Sequence, residues 1–228
     1  TLTDEARRAS LESLYNETLE EYLADAKSVI KKNPSSPVAL VALKEVYSSL
    51  EDAELEEFIG MIKGDVADTS AFIASLKEAL ASKKATAEGQ MFTDFTIVQD
   101  PDNAETSTVK FSDYVGNGKY VLVDFWASWC GPCKREIPNI AAVYDKYKGD
   151  DFDVLSVAVW DKPEDTKKAA AEHGVVWNQI INAQKIPTDI YGIEGIPHIM
   201  LVGPDGTIVK RDLRGENIEK AVAETLGR

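Results

Sequence analysis

Along the first third of the chain apolar residues recur three and four positions apart. Leu11, Leu14, Tyr15, Thr18, Tyr22, Ala26 and Val29 form one stripe, with Glu12, Glu17, Glu20, Glu21 and Lys27 on the other faces, which predicts a long amphipathic helix. Asn33-Pro34-Ser35-Ser36-Pro37 stops it. Ser36 as N-cap and Pro37 at the first helical position then open a second helix through Val41, Leu43, Val46 and Tyr47. Asp52 is the expected cap of a third, short helix to about Met61. Asp68 or Thr69 is that of a fourth, from about Ser70 to Ala85, with Phe72, Ile73, Leu76 and Leu80 inward. Residues 1–88 therefore predict a small helical bundle, and they contain no His and no Cys.

Ala81 to Gln90, ASKKATAEGQ, is small, polar and closed by a glycine, a composition suited to a linker, so the expected domains are 1–88 and 89–228. Beyond it the pattern changes to that of strands. Met91 to Val98 reads as an edge strand, and Asp100 to Thr106 as a protruding acidic loop before Thr108 to Phe111. Val121 to Trp126 is apolar or aromatic almost without a break, as expected of a strand buried on both faces and central in its sheet. Phe152 to Trp160 is a second such strand, parallel to the first by the right-handed crossover rule. Asp161 to Gly174 inserts a helix, Val175 to Ile181 a short extended segment, and Ile199 to Val202 another strand. Gly203-Pro204-Asp205-Gly206 signals a hairpin, Thr207 to Arg211 the last strand and Asn217 to Leu226 the closing helix. The second part is thus α/β.

The candidate chemistry sits where the central strand ends. After Trp129-Cys130-Gly131-Pro132-Cys133 the chain takes up a helical rhythm, with Ile137, Ile140, Ala141 and Tyr144 on one side. Two cysteines are thereby delivered to a helix N-terminus. Free N–H groups of the first turn and the helix dipole favour a thiolate at Cys130, whose pKa is expected below the free value of about 8.5. Cys133, one turn on, can close a small disulfide with Cys130 and release a partner held as a mixed disulfide. Pro132 suits the first turn, having no N–H to leave unpaired. The alternatives are weak. Zinc needs two more ligands from a chain with two cysteines and two histidines, and a structural bridge over so short a loop constrains the unfolded chain very little. Asp124, inside the strand, is costly there unless protonated or hydrogen-bonded.

Composition narrows the partners. The 228 residues are enough for two cores, and the net charge of −14 is shared between residues 1–88, with 17 acidic and 10 basic side chains, and the remainder, with 22 and 15. Such a surface repels nucleic acid and anionic lipid. No apolar run approaches a membrane span and no signal peptide opens the chain. A chain starting at Thr1 is expected to be a mature or trimmed product.

VDFWASWCGPCK resembles the active-site signature of the thioredoxin superfamily, and the following KREIP is similar to its TlpA/ResA-like branch of thiol-disulfide oxidoreductases. The resemblance runs from about Gly89 to the C-terminus, where GxxFxDF is similar to the entry of TlpA-like domains. It implies a thioredoxin-like fold, a central mixed sheet flanked by helices, behind the all-α part. It also implies roles. Asp124 matches a buried aspartate that assists proton transfer at the second cysteine, and Glu136 a glutamate that tunes the pair. Pro138 matches a helix-kinking proline. Pro197 matches a cis proline facing the CxxC, preceded by a residue, here Ile196, whose backbone binds an extended substrate strand. Trp129, Gly131 and Pro132 complete that groove. His198 departs from the usual threonine, and a plain strand residue is expected there. In some envelope relatives NPxSP and helices precede the redox domain, with a β-rich domain further upstream, which implies that Thr1 is an internal cut.

The expected protein is a thiol-disulfide oxidoreductase of the periplasm or cell envelope, exported and tethered by a removed N-terminal segment. It needs no cofactor beyond the Cys130–Cys133 disulfide and no metal. Its partners are proteins bearing thiols or disulfides and an upstream electron donor. The competing readings are a thiol peroxidase of the peroxiredoxin type, which attacks with a cysteine outside a WCGPC setting, and a partner-binding module with a vestigial redox site.

Overall fold

In the computed structural model, which describes residues 4–228, the apolar stripes of the first third become helices. These are α1 (Asp4–Lys32), α2 (Pro37–Val46), α3 (Asp52–Met61), the single turn α4 (Asp65–Asp68) and α5 (Ala71–Ala85). The chain divides into two compact units, the first ending at Leu80 and the second running from Ala81 to Arg228. Thr1 lies outside the described residues. In the first unit Ile30, Leu43, Val46, Phe58, Ile73 and Leu76 form one core. Ser36 caps α2 as expected, its hydroxyl accepting from the Val38 N–H. The other two caps differ. Asp52 is the first helical residue behind Glu51, and Ser70 rather than Asp68 or Thr69 caps α5, accepting from the Ile73 N–H at 3.2 Å.

The predicted stripe of α1 is buried only near its end. Ala26 and Ile30 are in the core, whereas Leu11, Leu14, Tyr15 and Tyr22 are 47–65% exposed. Length explains this. A helix of 29 residues is about 44 Å long, and the ten-residue helices α2 and α3 packed on it reach only about 15 Å each.

The second unit opens with β1 (Thr96–Val98), the turn α6 (Ala104–Ser107) and β2 (Thr108–Lys110). It continues through β3 (Tyr120–Trp126), α7 (Gly131–Tyr147), β4 (Phe152–Ala158), α8 (Pro163–Glu172) and β5 (Asn178–Ile180), and closes with α9 (Ile186–Tyr191), β6 (His198–Val202), β7 (Ile208–Lys210) and α10 (Glu216–Leu226). The main sheet has the order β5-β4-β3-β6-β7. β3 pairs in parallel with β4 and antiparallel with β6, so the sheet is mixed and β3 central. Burial on both faces follows from a layer on each side. Leu122 and Trp126 pack with Ile137 and Ile140 of α7 and Ile218 and Val222 of α10, while Val121, Val123 and Phe125 pack with Phe95, Phe111 and Tyr191.

Two expectations need correction. Met91 to Val98 is not one strand. β1 pairs only with β2 in a separate two-stranded sheet, because the Asp94 carboxylate accepts from the N–H groups of Phe95 and Ser112 and bends the backbone just before it. The ASKKATAEGQ stretch begins where the two units join, but it is not a loose connector. It finishes α5, buries Thr86 completely and then runs beside β7, with the Gly89 N–H on the Ile208 carbonyl and the Ile208 N–H on the Gln90 carbonyl, both at 2.8 Å. α9 has no counterpart among the expected elements, although Pro187 in its first turn and Gly192 at its end, with φ 61°, are the asymmetric signals of a short helix.

Candidate active site

β3 ends at Trp126 and the chain turns through Ala127, Ser128 and Trp129 into α7, whose N-cap is Cys130. The Cys130 sulfur accepts the N–H of Cys133 at 3.1 Å, and the two cysteines, with Cα atoms 5.3 Å apart, are joined as a disulfide. Both are buried, at 3% and 1% exposure, whereas Trp129 beside them is 59% exposed. Gly131 is half-buried and Pro132 exposed, and Pro138 lies inside α7. The peptide bond between Ile196 and Pro197 is cis, and the Ile196 carbonyl oxygen lies 3.7 Å from the Cys130 sulfur. Cys130, Cys133, Ile196 and Pro197 are therefore brought together.

Asp124 shares a face of β3 with Leu122 and Trp126, the face covered by α7. It is 1% exposed, and burial pushes its carboxyl up to about 7, with Ser156 and Arg214 opposing and Glu136 adding to the rise. Ser156 sits opposite it on β4. Its hydroxyl donates to Asp124 Oδ2 at 3.4 Å and accepts the Trp177 indole N–H at 2.9 Å. Because an indole only donates, the serine's one proton is directed at the carboxylate. Asp124 Oδ1 has no hydrogen-bond partner among the described residues. Glu136, half-buried, accepts from the Gly215 N–H at 3.3 and 3.1 Å and from the Asn139 amide at 2.8 Å.

His198 faces the other way. Its ring packs by Phe125 in the layer away from α7, with Nδ1 2.8 Å from Asp212 and Nε2 3.3 Å from Arg211, and burial lowers its pKa.

Asp161, three residues past the end of β4, is a site residue that no sequence motif marks. Its carboxylate, 7% exposed, accepts from the Ser128 N–H at 2.7 Å and from the Ser128 hydroxyl, the Thr166 hydroxyl and the Lys162 N–H at 2.9 Å each. Trp160 before it has φ 53°, unusual for a bulky residue, and its carbonyl holds the Trp129 indole N–H at 3.0 Å. The WASWC turn is thus seated on the segment just past β4 by two neighbouring residues. Asp161→Ala leaves the Ser128 donors unpaired and is expected to lower stability by about 3 kcal/mol in urea unfolding, with Asp161→Asn losing less.

A dithiol at the first turn of a helix, fed by a central strand and faced by a cis proline, defines a thioredoxin-like thiol-disulfide oxidoreductase. Residues 88–211 match the AhpC/TSA family, and the chain belongs to that family. It is 30% identical to the thiol-disulfide oxidoreductase ResA of Geobacillus thermodenitrificans over 56% of this chain and 70% of that protein. ResA of Bacillus subtilis is 26% identical over 57% and 69%. Among solved structures, the thioredoxin domain of a thiol-disulfide oxidoreductase from Bacteroides vulgatus is 34% identical with a TM-score of 0.53, covering 61% of this chain and 97% of that one. A putative thiol:disulfide interchange protein DsbE from Chlorobium tepidum is 29% identical with a TM-score of 0.54, covering 62% and 99%. No described helix is long and apolar enough to cross a membrane, and no group of three or more His, Cys, Asp or Glu among the described residues is placed to hold a metal.

Proposed function

We propose that this oxidoreductase reduces disulfides of proteins in the cell envelope. The Cys130 thiolate attacks a substrate disulfide, and one substrate sulfur leaves as a thiolate. Cys133, deprotonated by Asp124, then attacks the Cys130 sulfur. The second substrate sulfur departs, so the substrate gains two electrons and the Cys130–Cys133 bond forms. An upstream dithiol donor restores the pair. Trp129, Gly131, Pro132, Ile196 and Pro197 form the substrate groove, with the Ile196 backbone receiving an extended segment. Glu136 tunes the acid beneath the pair. The observation that carries this reading is the conjunction of the Cys130 sulfur, 3.7 Å from the Ile196 carbonyl, with a buried acid on the α7 side of the sheet. The envelope assignment draws on the TlpA/ResA-like resemblance.

A redox titration of the Cys130–Cys133 pair in dithiothreitol buffers tests the direction of flow. It is expected near thioredoxin's roughly −270 mV, whereas a value near roughly −120 mV overturns the reductant reading. Peroxide consumption that survives Cys133→Ser would instead favour a thiol peroxidase.

A further inference from the structure

Between β7 and α10 the chain makes a turn, Arg211 to Gly215, that was not marked by any motif. It is fastened to β6 by the Leu213 N–H on the Ile199 carbonyl at 3.0 Å. Arg214 Nη1 donates to the Leu213 carbonyl at 2.7 Å, while Nη2 donates to the carbonyl of Pro197. The next N–H, that of Gly215, donates to both Glu136 oxygens, from a backbone with φ 52° and ψ −130° that a side chain would strain. Two adjacent residues therefore tie the cis-proline segment to the first turns of α7, the two segments that bracket the Cys130 sulfur. The same guanidinium is the cation acting on Asp124.

We propose that Arg214 is a positioning residue for both halves of the reaction: as a brace between the Ile196–Pro197 segment and the CxxC helix it serves attack at Cys130, and as a permanent cation on the α7 side of the sheet it serves resolution by Cys133. An arginine suits both tasks, since its planar fork serves two carbonyls at once and it stays charged at every working pH. The groups that face Asp124 are few. α7 contributes Cys133 and Glu136, β4 contributes Ser156 backed by Trp177, and the turn contributes Arg214, while the β6 residue paired with Asp124 is Ile199. Removing Arg214 leaves Glu136 as the one charge in this set to act on Asp124, which favours its protonated form.

The inference rests on Asp124 serving as base for Cys133, and the test separates the two ideas. Reduced protein mixed with 5,5′-dithiobis(2-nitrobenzoate) releases one nitrothiobenzoate when Cys130 attacks and a second when Cys133 resolves the mixed disulfide. The rate of the second release is followed against pH. Arg214→Met is expected to move its midpoint upward by about half a pH unit or more, a roughly threefold slower release below the midpoint. The same variant is expected to slow the first release, because the Ile196–Pro197 segment beside the Cys130 sulfur loses its tie, and Arg214→Lys, which keeps the charge but not the fork, to restore the midpoint while the first release stays slow. Asp124→Asn is expected to abolish the inflection. If Asp124→Asn abolishes it but Arg214→Met slows both releases with no change of midpoint, Arg214 is merely structural and the proposal is wrong. An inflection that survives Asp124→Asn overturns the base assignment and the proposal together. Should Arg214→Met fail to fold, Arg214→Lys decides, because an unaltered first release with the shorter side chain overturns the brace.

Discussion

Cells producing the Cys133→Ser variant accumulate a mixed disulfide between Cys130 and substrate proteins, and cells producing Cys130→Ser accumulate none. The asymmetry follows from position. Cys130, at the N-cap and 3.7 Å from the Ile196 carbonyl, is the sulfur on the substrate side, whereas Cys133, 1% exposed within the first turn, meets only a sulfur already bound to Cys130. Removing the second cysteine leaves attack intact and stops release, so turnover of a protein disulfide falls by at least about a thousandfold in either variant while only one of them holds its partner. Capture is read on non-reducing gels and must be reversed by dithiothreitol. A binding module would hold partners equally with either variant and in a form that survives reductant, and that result would turn attention to the helices of the first unit.

The oxidised protein loses stability as the pH rises through neutrality, and Asp124→Asn does not share the loss. The carboxyl is raised from 3.8 to about 7, so the folded state binds this proton more tightly than the unfolded chain does. The resulting stabilisation is fully present below about pH 4 and disappears as the pH passes 7, where an ionised carboxylate must be held without water. Roughly three pH units at 1.36 kcal/mol each make the swing about 4 kcal/mol. Urea midpoints of the oxidised proteins at pH 5 and pH 8 capture the part that falls between them, roughly two pH units or about 2.7 kcal/mol, with other titrating groups cancelling in the difference between wild type and variant. Parallel curves at the two pH values would show that the buried acid is not the group responsible. The retained acid therefore costs the fold something at neutral pH, and its use in proton transfer at Cys133 is the proposed compensation.

What could be read in advance was local. Val121 to Trp126 announced a central strand because both of its faces are apolar, and Cys130, Cys133 and Pro132 carry their chemistry within four residues. Asp161 and Arg214 escaped notice because their meaning lies in partners 33 and 17 positions away, Ser128 and Pro197, that folding alone brings near. The stripe on α1 was correctly helical but told nothing of how far its neighbours extend. ASKKATAEGQ looked like a connector because polar composition does not reveal that Arg211 waits to bind the Thr86 hydroxyl and carbonyl at 2.8 and 2.7 Å.

The division into two units has a spectroscopic consequence. All four tryptophans, Trp126, Trp129, Trp160 and Trp177, belong to the unit that begins at Ala81, and the helical unit has none. Indole fluorescence therefore reports on the redox unit alone, while far-ultraviolet circular dichroism weighs α1 to α5 heavily. If the two units melt separately, the two signals give different midpoints in one denaturant series, and a Trp introduced in place of Phe58, in the helical core, supplies the missing reporter.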